Sequence, residues 1–330
     1  MTNQAHFGAA LDHTLDALSR CAPDAAQRAH AALEVCLSGV RSSRWPEVAW
    51  AFSGLNGDGF PVEITFSSLG ANDVRYTAEV AGPEEREPRR IGRAFEVYKT
   101  LRGREASPAV ECAFIEMQRG RRLDYGAWFG GAHGPGGDRY KIYAEIPCSC
   151  DLERVFPDLF AEGQPLPQCR SRPVMFGFQP DREVREVYFG ARCLTEPDVG
   201  RLLWNCGLGH RCCEMLDLIR DANGRSGLPP AISGFSIAQG SDRRVSAVSL
   251  FAVAWVLFGS DANVRRTLLG LGRRRNWDLK MYEQATEALQ HRDTLVTHHG
   301  IIAWIATPDA PVELRIGLTP PEPADSDCSP

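Results

Sequence analysis

The side chains with chemistry to offer fall in short strand-like runs. They are Glu63, Arg75, Trp128, Lys141, Tyr143, Tyr188 and Arg315. Strand alternation puts Lys141 and Tyr143 on one face, together with Glu145. Arg75 and Arg315 hold comparable places on the return strands of two hairpins. Glu63 alternates with Thr65 and Ser67 against the apolar Val62, Ile64 and Phe66. A carboxylate there is costly to bury unless something presents it with a proton or a positive charge. Cations can neutralise negative charge that develops in a reaction, aromatic faces attract positive charge, and a carboxylate can take a proton. Plainer readings stand beside these: Glu63 outward and paired across to Arg75, Lys141 and the tyrosines half-solvated, Trp128 simply core.

The elements that must position these residues recur. Five times, two strand-like runs are joined to a helical stretch: 60–67 with 73–80, 123–130 with 139–146, 174–179 with 185–193, 231–238 with 244–253, and 300–307 with 312–319. Such self-similarity marks a fold built from repeated units. Ten strands in five hairpins can close into an antiparallel barrel without exposed edges, ringed by helices, an α+β architecture. A barrel of that size leaves an interior chamber. Helical patterns cover 5–40 (broken at Pro23), 84–118, 151–163, 197–223 and 260–292. Residues 165–173 read as a linker and 130–137 (GGAHGPGG) as a long hairpin loop. No linker separates two cores, so residues 1–319 read as one domain, with helices of 1–50 packing outside, and 320–330 as a disordered tail.

Composition bounds the function. The chain has 330 residues, 43% hydrophobic and 24% charged, enough for a large core. A net charge of −5 argues against a nucleic-acid partner. No apolar run reaches the roughly 18 residues of a membrane span. The first residues lack a signal core, and eleven cysteines follow no disulfide framework, which together favour a cytoplasmic setting. Cys206, His210, Cys212 and Cys213 match no standard zinc spacing and read as a cysteine-rich buried helix. The 130–137 glycines join strand to strand and so lack the helix N-terminus of a phosphate loop. No Asp-Asp-x-x-Asp cluster of a magnesium-dependent isoprenoid synthase is present.

Over most of residues 50–320 the pattern resembles the αββα-barrel (ABBA) aromatic prenyltransferases, above all their dimethylallyltryptophan synthase branch. Gly59-Phe60-Pro61-Val62-Glu63 is similar to that branch's first-strand Gly-x-Pro-x-Glu motif, and Val74-Arg75-Tyr76-Thr77 to its Arg-bearing second strand. Arg139-Tyr140-Lys141-Ile142-Tyr143 resembles its Lys-x-Tyr strand, and 298–320 its closing hairpin.

The resemblance implies a metal-independent transfer of a short allylic group, dimethylallyl, from its diphosphate to an indole, a phenol or such a side chain in a peptide, with no cofactor. It implies Arg75, Lys141, Arg315 and Tyr143 as diphosphate ligands, Tyr143, Tyr188 and Trp128 as the carbocation shield, and Glu63 as the base at the acceptor N–H. The chain also departs from the pattern. Glu186 stands where the family often has Lys, the fourth unit lacks its polar-x-Tyr, and Gly317 replaces a usual Tyr. A wider chamber fits a peptide acceptor. A non-catalytic barrel binding a hydrophobic ligand or peptide is the alternative.

Overall fold

A computed structural model describes residues 8–70, 72–156, 170–192, 194–224, 228–230, 232–294 and 297–322. The ten strands are β1 (Val62–Ser67), β2 (Val74–Glu79), β3 (Ala127–Gly134), β4 (Gly137–Glu145), β5 (Arg170–Gln179), β6 (Val184–Arg192), β7 (Ile232–Gln239), β8 (Val245–Val253), β9 (His299–Ala306) and β10 (Glu313–Leu318). Each pairs antiparallel with its chain neighbours, and β1 pairs with β10, so the sheet closes. Closure leaves no unpaired strand edge. All five hairpin turns therefore lie at one end of the barrel, and the helical connections leave from the other.

Helices cover the outside. The first are α1 (Ala9–Ser19), α2 (Pro23–Cys36), α3 (Glu87–Arg102) and α4 (Pro108–Gln118). Later in the chain come α5 (Glu196–Asn205), α6 (Cys212–Asn223), α7 (Asp261–Arg275) and α8 (Lys280–Ala285). Helix α2 lies over β2 and β3, and α3 over β3 and β4. Proline at the first turn starts α2, α3, α4 and α5, where its missing N–H costs nothing. Among the described residues no helix is long and apolar enough to cross a membrane.

The burial pattern runs opposite to that of a solid core. Residues facing the helices, such as Val62, Ile64, Phe129, Ile142 and Phe235, are buried to 0–1% exposure. Their strand neighbours facing inward, among them Glu63, Thr65, Lys141 and Tyr143, are partly exposed. The apolar core is thus the layer between sheet and helices, and the barrel interior is lined by polar and aromatic side chains.

Several expected boundaries move. The helical stretch 84–118 is two helices, because Gly103 takes a left-handed φ of 65° and caps α3. The stretch 197–223 breaks between α5 and α6, and 260–292 breaks at Asn276, also left-handed with φ 56°. The glycine-rich 130–137 holds the hairpin turn, but a shorter one than expected: strand pairing runs through Gly134 and resumes at Gly137, which leaves Pro135 and Gly136 as the turn. Glycine is needed there for side-chain room. A Cβ on Gly131 would lie 2.4 Å from Tyr76 Cζ, and one on Gly130 2.9 Å from Tyr143 Cε2. Of the expected linker, residues 170–173 belong to β5, with Pro173 at a register shift where a missing ladder donor is tolerated; 165–169 lie outside the described residues. The expected helix 151–163 is seen as Leu152–Val155, and the part from 157 lies outside the described residues. Pro320 and Pro321 are buried, so the chain stays packed past 319, and 323–330 lie outside the described residues.

Candidate active site

Register decides which side chains share the chamber. Across β1 and β2, Glu63 faces Thr77 and Thr65 faces Arg75. Across β3 and β4, Trp128 faces Tyr143 and Gly130 faces Lys141. Across β5 and β6, Gly177 faces Glu186 and Met175 faces Tyr188. Ser67 faces Arg315 across β1 and β10. Following these pairs around the closed sheet sends Glu63, Arg75, Trp128, Lys141, Tyr143, Tyr188 and Arg315 all inward.

The cations gather towards the hairpin end, and each has a carboxylate. Arg315 grips Glu313 through Nε and Nη2, both at 2.7 Å. Arg75 Nη2 donates to Asp73 Oδ2 at 2.7 Å, and Arg139 Nη2 donates to the same oxygen at 2.8 Å. Lys141 is ion-paired with Glu186 and donates to the Tyr188 hydroxyl at 2.8 Å. Burial and the neighbouring Arg315 charge push the Arg75 guanidinium down to about 10, so it is still charged at neutral pH. Its Nε is buried with no hydrogen-bond partner. A buried, unpaired donor between cations suits an anion.

Aromatic faces form a belt below the cations. The Tyr143 and Tyr188 rings are 6.1 Å apart, and Tyr188 stacks on Phe251 at 5.7 Å. The Lys141 ammonium lies 4.9 Å and 5.0 Å from the Tyr143 and Tyr188 ring centres. Trp128 continues the belt towards the connection end. It stacks on Tyr125 at 3.8 Å, and its indole N–H donates to Glu79 at 3.0 Å. Burial and the adjacent Glu186 raise the Tyr188 phenol well above its ordinary value, so it remains a neutral donor.

Three acidic residues of the connection end differ in one respect. Glu79 holds Ser53, Trp128 and Arg90. Glu145 accepts the backbone N–H groups of Asp124, Tyr125 and Gly126. Glu63 has no hydrogen-bond or ion-pair partner among the described residues, and Arg75 is turned to Asp73 instead. Burial pushes the Glu63 carboxyl up to about 7. A carboxylate poised near neutrality, with no structural bond to make, suits a general base.

Arg139 and Phe251 join this chamber without having been singled out in the sequence. Alternation with Lys141 exposes Arg139 to notice, whereas Phe251 sits in an apolar run whose inward face only the register reveals. Glu313 and Glu186 act as partners of the cations, a role that spacing does not show. Of the two adjacent histidines, His299 begins β9 with Nδ1 2.6 Å from Asp261 and Nε2 2.9 Å from the Tyr282 hydroxyl, whereas His298 precedes the strand and neither of its ring nitrogens is hydrogen-bonded among the described residues. The cysteine-rich segment is mixed: Cys206 is buried, Cys213 is exposed, and His210 lies 3.2 Å from the Pro308 carbonyl. Among the described residues no three His, Cys, Asp or Glu side chains are grouped to hold a metal.

No family model and no curated protein matches the sequence. Solved structures do match in shape. The 5-dimethylallyltryptophan synthase from Streptomyces coelicolor superposes with a TM-score of 0.75 at 14% identity, covering 99% of each chain. The 6-dimethylallyltryptophan synthase from Micromonospora olivasterospora, solved in complex with DMASPP and Trp, gives 0.73 at 14% identity over 95% of this chain and 97% of that one. AnaPT from Neosartorya fischeri gives 0.71 at 13% identity over 97% and 94%. The closed ten-stranded barrel, its helical ring and this full-length overlap give the chain the ABBA fold of the aromatic prenyltransferases.

Proposed function

We propose that the barrel is a prenyltransferase that moves a short allylic group, dimethylallyl, from its diphosphate to an indole or phenol, free or as a side chain within a peptide. The observation that carries this reading is the layering of one chamber: Arg75, Arg139, Lys141 and Arg315 near the hairpin end, the Tyr143–Tyr188–Phe251 belt below them, and the unpaired Glu63 towards the connection end. The diphosphate leaves against the cations, which stabilise the charge that develops on it. The allylic cation is held against the aromatic faces, away from water. The acceptor carbon attacks the cation, and Glu63 takes the proton released from the acceptor. In this reading side chains rather than a metal ion meet the diphosphate charge, and no other cofactor takes part. The free thiols of the described cysteines support a cytoplasmic setting.

A second reading is favoured by one observation: Arg75, Arg139, Lys141 and Arg315 already have carboxylate partners. A barrel that binds a hydrophobic ligand or peptide without turning it over needs no free cation. Incubation of the protein with indoles, phenols and aromatic peptides, together with mixed allylic diphosphates, separates the two by mass spectrometry. The enzyme yields an acceptor heavier by one prenyl group. A carrier yields none and does not bind the thiolodiphosphate analogue of the donor.

A further inference from the structure

We propose that Glu186 is a built-in competitor for the donor: its carboxylate neutralises the Lys141 ammonium, and a diphosphate must compete with it for that charge. The inference rests on the donor site proposed above.

The pair is built by the strands on either side of β5. Tyr143 and Glu186 both register on Gly177, so β4 and β6 flank it, and Lys141 lies on the same face as Tyr143. A Cβ on Gly177 would fall 2.3 Å from Lys141 Cε. Glycine at that position is what lets the lysine lean across β5 to reach Glu186 on the far strand. The second Glu186 oxygen accepts from Ser236 on β7, and the Tyr188 hydroxyl lies on the same ammonium. Burial raises the Glu186 carboxyl, but the Lys141 charge and these bonds outweigh it and hold it below the ordinary carboxylate range. Glu186 is therefore anionic at neutral pH, and the field at Lys141 is already cancelled. The arginines differ: the Arg75 Nε has no partner, and Arg315 meets Glu313 through only Nε and Nη2. They keep N–H groups that no carboxylate holds; Lys141 has one N–H left after Glu186 and Tyr188, so what an incoming anion contests there is the charge that Glu186 already neutralises. Glu186 also acts electrostatically on Arg315, so its displacement is felt by both cations.

Titration calorimetry with inorganic pyrophosphate, at fixed pH and salt, tests this. Replacing Glu186 by Gln removes the competing charge and keeps the shape. Glu186→Gln is expected to tighten pyrophosphate about ten- to a hundredfold, the range of one charge-assisted hydrogen bond. Glu186→Asp, which draws the carboxylate back by one methylene, should tighten it less. In a Lys141→Ala background the Glu186→Gln gain should shrink to the part that acts through Arg315 and the rest of the chamber. Equal or weaker binding by a folded Glu186→Gln variant overturns the proposal, as does a gain at least as large in the Lys141→Ala background. If Glu186→Gln does not fold, Glu186→Asp carries the same comparison. Tightening by Glu186→Gln in a protein that prenylates no acceptor supports the competitor and sinks the transferase reading. Turnover by the wild type with no gain in Glu186→Gln does the reverse, and pyrophosphate binding by no variant sinks both.

Discussion

Glu63 lies over Gly317: a Cβ on that glycine would sit 2.3 Å from the Glu63 Cδ and Oε2. Gly300, on the next strand, would bring a Cβ to 2.7 Å from the same oxygen. Two glycines on β9 and β10 thus make the floor on which the carboxylate rests. A larger residue at 317 and the present placement of Glu63 exclude each other.

Gly317→Ala should therefore move Glu63 without unfolding the barrel. The methyl group meets the end of a flexible side chain rather than backbone, so the cost in stability should stay within about 1 kcal/mol. Turnover should fall by an order of magnitude or more as the base leaves its position. Thermal melts beside initial rates check both halves, and an unchanged rate would show that this seat for Glu63 is unimportant.

Glu63→Gln keeps the size of the side chain and loses the proton acceptor. Prenylation should drop roughly 10²–10⁴-fold with donor affinity little changed. Rates near wild type would remove Glu63 as the base.

The pH dependence follows from the raised carboxyl. With a folded value of about 7, Glu63 is protonated below neutrality, so the rate should climb as pH rises through 7 and then level off. Stability runs the other way. The folded state binds this proton more tightly than the unfolded one, so the group's stabilising contribution is full below its ordinary value of 4.5 and is lost as pH rises through about 7. Denaturant melts at pH 5 and pH 8 should show the wild type losing stability relative to Glu63→Gln. A constant difference between the two proteins would mean the carboxyl titrates in its usual range.

Lys141→Ala leaves Glu186 as an uncompensated charge inside the barrel. Breaking one side of such a pair typically costs about 3 kcal/mol or more, whereas removing both charges costs far less. Lys141→Ala should thus be the least stable variant, and Lys141→Ala with Glu186→Gln should recover much of the loss. A double variant no more stable than Lys141→Ala would show that the pair is not coupled.

Phe251→Ala opens the aromatic belt beside Tyr188. Water should then reach the allylic cation, and the ratio of prenyl alcohol to prenylated acceptor should rise several-fold. Chromatographic quantification of both products reads this directly, and an unchanged ratio would place the cation away from Phe251.

Alternation along each strand was enough to tell which residues share a face, because successive side chains of a strand point to opposite sides whatever the partner. That is why Lys141 could be grouped with Tyr143, and Glu63 with Thr65 and Ser67, from the sequence, and why the barrel itself was legible in five repeated hairpins; gathering Glu63, Lys141 and Arg315 into one site was what the resemblance implied. Alternation says nothing about which strand lies beside which residue, and partners depend on that. Only the closed register set Gly177 between Lys141 and Glu186, brought Phe251 against Tyr188, and seated Glu63 on Gly300 and Gly317. The extent of the turn in the glycine-rich 130–137 segment is hidden from the sequence for the same reason. Its composition reads as a turn throughout when taken alone, but pairing on both sides holds all except Pro135 and Gly136 as strand, and the rings of Tyr76 and Tyr143 fill the space its absent side chains leave. Local sequence determined the faces and the count of strands. Long-range pairing decided the neighbours, and with them the charge balance of the chamber.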